Sequence, residues 1–165
     1  MTLEGLGLAE PDQSGGLFRA DLAADPASAR QARAAVREAL AAWGMDDPSG
    51  DAELLVSELV ANAAEHAGSQ QIGFVLRRHT EPGGQRGITC EVTDTSPALP
   101  QPRQASTGNE RGRGLAIIAA LASASGVRPE ARGKTSWFTL ALRDRQAAAR
   151  RTALRQPEPE PEAGA

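Results

Sequence analysis

Three polar side chains recur at helical spacing inside an otherwise apolar run. They are Glu58, Asn62 and His66, in Leu54-Leu55-Val56-Ser57-Glu58-Leu59-Val60-Ala61-Asn62-Ala63-Ala64-Glu65-His66. At that spacing they share one helical face, drifting about 40° per step. A helix this apolar is mostly buried. An unpaired carboxylate and amide in a buried stripe cost roughly several kcal/mol, and a metal ion with a hydrated phosphate chain would supply their partners. The Asn carbonyl oxygen suits Mg²⁺, which keeps waters and phosphate oxygens as its other ligands. A glutamate one turn earlier is suited to orient or deprotonate an attacking hydroxyl or water. Taken alone, Glu58 and Asn62 read more simply as the solvated stripe of an amphipathic helix.

Two further groups bear on the same chemistry. Asp94 follows Ile88, Cys90 and Val92 at even spacing, so strand alternation turns its carboxylate to the apolar side. There it can accept a hydrogen bond inside a pocket, for instance from an adenine amino group; alone, it reads more simply as a strand-end Asp opening a turn through Thr95-Ser96-Pro97. Gly108-Asn109-Glu110-Arg111-Gly112-Arg113-Gly114-Leu115 leads into a helix. Glycines admit an anion close to the backbone, and a helix N-terminus offers free N–H groups; an ordinary flexible loop fits the same residues. Two look-alikes fail. Gly133-Lys134-Thr135 has Arg128 where a phosphate-binding P-loop needs Gly, and it precedes a strand. Gly112-Arg113-Gly114 has Ile117 where a dinucleotide fingerprint needs its third glycine.

The elements that must hold these residues follow from pattern. Residues 1–15 form a loose arm. Leu17–Leu22 alternates as an edge strand. Asp25-Pro26 opens a helix to about Trp43, with Ala32, Val36, Leu40 and Trp43 on one face, closed by Gly44. Asp47-Pro48 opens a second helix to about Ala67, stopped by Gly68. Strands through Ile72, Phe74 and Leu76 and through Ile88, Cys90 and Val92 make a hairpin across Glu81-Pro82-Gly83-Gly84. Residues 95–111 are a loop. Leu115–Ala124 is a short buried helix ended by Gly126, 127–132 a short strand, and Ser136–Leu142 the last strand, with Phe138, Leu140 and Leu142 on one face. The Pro-Glu-rich tail, 144–165, is expected to be disordered. The order predicts an α/β (α+β) two-layer sandwich, with helices on one face of a mixed, mostly antiparallel sheet and a single folded domain over 16–143.

Composition narrows the class. With 165 residues, 40% apolar and 24% charged, the chain has room for one core, and 3% aromatics make that core aliphatic. A net charge of −3 gives no overall attraction to nucleic acid or anionic membrane. The single cysteine, Cys90, fits a reducing cytoplasm, and with two histidines it makes no zinc site. No basic-then-apolar leader and no stretch of about 18 apolar residues is present, so neither a signal peptide nor a membrane span is expected.

In order along the chain, these signals carry more than each does alone. The stretches Ser57-Glu58-Leu59-Val60-Ala61-Asn62-Ala63-Ala64-Glu65-His66, Val92-Thr93-Asp94, Gly112-Arg113-Gly114-Leu115-Ala116-Ile117-Ile118 and Gly133-Lys134-Thr135-Ser136-Trp137-Phe138 resemble the Bergerat-fold ATP-binding superfamily of gyrase, a heat-shock chaperone, histidine kinases and mismatch-repair ATPases. Over about residues 16–142 the chain looks most like its anti-sigma factor serine/threonine kinase branch. The resemblance implies Glu58 as general base and Asn62 as Mg²⁺ ligand, with His66 lining the phosphate side and Glu65 among the ATP-binding residues. It implies that Asp94 holds the adenine amino group with Thr135 in the same network, Ser96 and Ala98 standing at the adenine box. Residues 97–113 become a lid over ATP, and Gly112, Arg113, Gly114, Leu115 and Ala116 contact its phosphates. The partners implied are a sigma factor and an anti-sigma factor antagonist, the latter phosphorylated on serine or threonine; many members of the branch are homodimers.

One departure stands out. The superfamily box Asp-x-Gly-x-Gly is here Asp94-Thr95-Ser96-Pro97-Ala98. Its added side chains and the prolines Pro97 and Pro100 bear on nucleotide affinity and lid motion. The alternative function is a non-catalytic module that sequesters a partner and binds ATP weakly or not at all. The catalytic half of a histidine kinase fits less well, because no dimerising helix with an acceptor histidine precedes the domain in this sequence.

Overall fold

The computed structural model describes residues 15–47, 49–67, 71–96 and 113–144, with backbone alone at 66, 67, 113, 115, 143 and 144. The expected arm at 1–14, Gly68, the loop residues 97–112 with Ala98 and Gly112, and the tail from 145 lie outside the described residues. So do the side chains of His66, Arg113 and Leu115.

The elements run β1 (Leu17–Ala23), α1 (Ser28–Ala42), β2 (Met45–Asp46), α2 (Asp51–Ala67), β3 (Gln71–Thr80), β4 (Arg86–Asp94), α3 (Arg113–Leu121), β5 (Ala124–Glu130), β6 (Gly133–Ala141) and β7 (Arg143–Asp144). The main sheet has five strands in the order β1-β3-β4-β6-β5, every pairing antiparallel. The expected α+β sandwich is present. β2 and β7 add a two-stranded clasp, Met45 opposite Asp144, too short for any alternation to announce.

Both long helices start where an aspartate accepts free N–H groups. Asp25 Oδ1 accepts from Ala27 N–H (2.7 Å) and Ser28 N–H (3.1 Å). The Asp47 carboxylate accepts from Asp51 N–H (3.1 Å) and Ala52 N–H (2.8 Å). Each helix therefore begins a few residues beyond the aspartate that signals it. α1 is tied to α2 by Arg37 donating twice to the Glu53 carboxylate (2.6 and 3.1 Å) and by Arg33 Nη1 donating to Ser57 Oγ (3.0 Å).

The core lies between helices and sheet. Ala32, Val36, Leu40 and Trp43 of the first helical segment and Leu55, Val56, Leu59 and Val60 of α2 face Phe18, Leu22, Ile72, Phe74, Leu76, Ile88, Cys90, Val92, Phe138 and Leu140 of the strands. Phe18 and Phe74 meet edge to face, centroids 5.8 Å apart. α2 packs across β3, β4 and β6, and α3 packs chiefly against α2 and β5.

α3 corrects an expectation. It ends at Leu121 rather than near Ala124, and it is not a buried helix. Ile118 is buried, while Ala116, Ala119, Ala120 and Leu121 are exposed. The chain leaves the helix early to pair with β6, Ser123 N–H donating to Thr139 O (2.8 Å). Gly126 therefore sits inside β5, against the Trp137 ring, and ends no helix.

Candidate functional site

α2 carries Glu58 and Asn62 one turn apart on a half-buried face. Their neighbours Leu55, Val56, Leu59, Val60 and Ala63 are buried and hold that face in register. Glu65 is exposed, and His66 falls in the last turn of the helix. The start of α3 meets this face. Gly114 is buried, and a Cβ there would overlap the Glu58 carboxylate. So the structure brings together Glu58 of α2 and Gly114 of α3, with Asn62 one turn further along. Ala116, also expected to contact phosphate, is exposed on α3.

The end of β4 forms a second focus. Ile88, Cys90, Val92 and Asp94 are all buried, as their even spacing requires, so Asp94 does point to the helix side. Ser96 N–H donates to Asp94 Oδ1 (2.8 Å), making Asp94 also the turn-opening aspartate of the simpler reading. Lys134, directly across on β6, donates from Nζ to the same oxygen at 3.0 Å. Their side chains are 3% and 1% exposed. Gly133 makes this crossing possible. Its φ is 104°, and a Cβ there would overlap the Asp94 carbonyl oxygen.

Thr135 is not in the Asp94 network, which corrects the expectation. It pairs with Thr93 in the ladder, and partners across a sheet share a face. Their hydroxyls bond at 2.8 Å, and Thr135 also donates to Glu130 Oε1 (2.9 Å). Together with Arg128, that bond holds the Glu130 carboxyl below its ordinary pKa. Residues 94 and 93 point to opposite faces, so the partners available to Asp94 are Lys134 and, two residues on, Ser136. Counting alternate residues back from Phe138 finds both. Lys134 is thus the buried cross-strand partner of Asp94, a role that the Gly-Lys-Thr motif does not mark.

No group of three or more His, Cys, Asp or Glu able to hold a metal is found among the described residues. A magnesium ion bound with a nucleotide does not need one, since one or two protein oxygens and the phosphates suffice. Asn62, half-buried one helical turn from Glu58, offers a side-chain oxygen that fits that donor set.

A helix pair and a short glycine-led helix over one face of an antiparallel sheet define a nucleotide-binding type of domain. The family model for the histidine kinase-like ATPase domain matches residues 22–140. The chain belongs to that family, an ATP-binding one. No curated protein matches it. Among the described residues no helix is long and apolar enough to cross a membrane.

Proposed function

We propose that the chain is an ATP-dependent serine/threonine kinase that phosphorylates an anti-sigma factor antagonist and binds a sigma factor, in a partner-switching pathway of the cytoplasm. The observation that carries the phosphotransfer is Glu58 against Gly114, with Asn62 one turn away. The anti-sigma assignment rests on the motif resemblance, as does an expected homodimer. ATP·Mg supplies the phosphoryl group and neutralises its developing charge. Asn62 offers the protein oxygen for the metal. Gly114 and the backbone after it offer N–H groups toward phosphate oxygens. Glu58 takes the proton from the acceptor hydroxyl on its carboxylate as that oxygen bonds phosphorus and ADP departs. Asp94 reads the base.

A sequestering module is the second reading, favoured by Lys134 already occupying Asp94. Two variants separate them. Asn62→Ala should lose magnesium-dependent ATP binding. Glu58→Ala should keep ATP yet lose transfer to the antagonist by roughly a hundredfold or more. A wild-type protein that binds ATP and phosphorylates no antagonist leaves the sequestering reading standing.

A further inference from the structure

Asp94 takes two donors on one oxygen. Ser96 N–H and Lys134 Nζ both bond Oδ1, at 2.8 and 3.0 Å, and Lys134 Nζ also lies 3.5 Å from the Ser96 carbonyl oxygen. Among the described residues, Oδ2 is the oxygen left for a ligand. The result is an ammonium held beside a carboxylate at the end of β4, both almost wholly buried.

That pairing alters which bases the carboxylate tolerates. Alone, a buried carboxylate attracts the amino group of a 6-aminopurine and repels the carbonyl of a 6-oxopurine. With an ammonium beside it, the site offers one donor and one acceptor side by side. A 6-aminopurine can give its amino N–H to Oδ2 and take a bond at N1 from Lys134. A 6-oxopurine can give N1–H to Oδ2 and take a bond at O6 from Lys134.

We propose that Lys134 is a base-selecting residue, and that the Lys134–Asp94 pair admits guanine nucleotides alongside adenine nucleotides. This rests on the reading of Asp94 as the carboxylate that faces the base.

The test is equilibrium binding of fluorescent ATP, GTP and UTP analogues, with magnesium, to the full chain and to Lys134→Met. Wild type should bind the ATP and GTP analogues within about tenfold of each other, and Lys134→Met should shift the ratio toward ATP by about tenfold or more. Taking the ratio on one preparation cancels any loss of folded protein. A wild-type preference for ATP above about a thousandfold overturns the proposal without any variant, and so does an unchanged ratio in Lys134→Met. If no nucleotide binds, or UTP binds as tightly as the purines, the base-facing reading of Asp94 itself falls. That outcome is distinct from failure of the selectivity.

Discussion

The Glu58 carboxylate and the Gly114 backbone are so close that the methyl group of an alanine at 114 would overlap Oε2. The overlapped atom is the far end of a flexible side chain, so Gly114→Ala should fold and displace Glu58 rather than break the helix pair. Phosphotransfer should fall by roughly a hundredfold, while the thermal midpoint moves by only a few degrees, the shift of a change near 1 kcal/mol. A variant with full activity would show that the carboxylate works from elsewhere.

Asp94 and Lys134 neutralise each other out of water, so removing one strands the other. Asp94→Ala should cost about 3–5 kcal/mol in urea unfolding. The double change Asp94→Leu with Lys134→Met should regain most of that loss, because apolar replacement of both members of a buried pair is often neutral. A single variant within about 1 kcal/mol of wild type would mean that the ammonium escapes to solvent.

Two glycines with positive φ make a controlled comparison. Gly44 has φ 63° and open space where its Cβ would stand, whereas Gly133 has φ 104° and the Asp94 carbonyl in the way. Gly44→Ala should cost about 1 kcal/mol, the left-handed penalty alone. Gly133→Ala adds a backbone collision of about 1–3 kcal/mol and should also weaken nucleotide binding, since Asp94 must shift. Equal losses at both positions would contradict the crossing at the β4 end.

Asp47 caps α2, and its pKa is raised chiefly by burial, against the N–H bonds from Ala52 and Asp51 that favour its charge. Asp47→Ala should cost about 1 kcal/mol, and Asp47→Asn less. The raised carboxyl binds its proton more tightly folded than unfolded. Its contribution is therefore more favourable at acid pH and declines as pH rises through the carboxylate range. Measured by denaturant titration at several pH values, Asp47→Asn should gain on wild type as pH increases across that range; a constant difference would contradict burial as the dominant cause.

Alternation and helical period were enough to orient Asp94 and to put Glu58 and Asn62 on one helix face, because both periods are imposed by burial against a single core. What misled were places where another constraint took over. The Gly133-Lys134-Thr135 motif points to Thr135, although parity counted from Phe138 puts Lys134 and Ser136 on the inner face. The alanines after Ile118 fit a buried helix or an exposed one equally well in composition, and only pairing with β6 settles where α3 stops. The β2–β7 clasp is two residues on each side, below the length at which a period exists. The approach of Gly114 to Glu58 joins residues far apart in sequence, and no local pattern encodes it.

The sheet order has a consequence for how the protein assembles. Its two inner strands that are neighbours in sequence, β3 and β4, are joined by the short turn at 81–85, and β1 and β6 flank them. The β5–β6 hairpin closes over a turn of two residues, 131–132, so both hairpins are local and the sheet is completed when they dock. Asp94 ends one hairpin and Lys134 begins the second strand of the other, so the two meet only when β4 and β6 pair across a long stretch of chain. The base-reading pair is thus completed late. Substitutions that remove the contact between the hairpins, such as Asp94→Ala, should chiefly hasten unfolding, whereas those within either hairpin should slow folding.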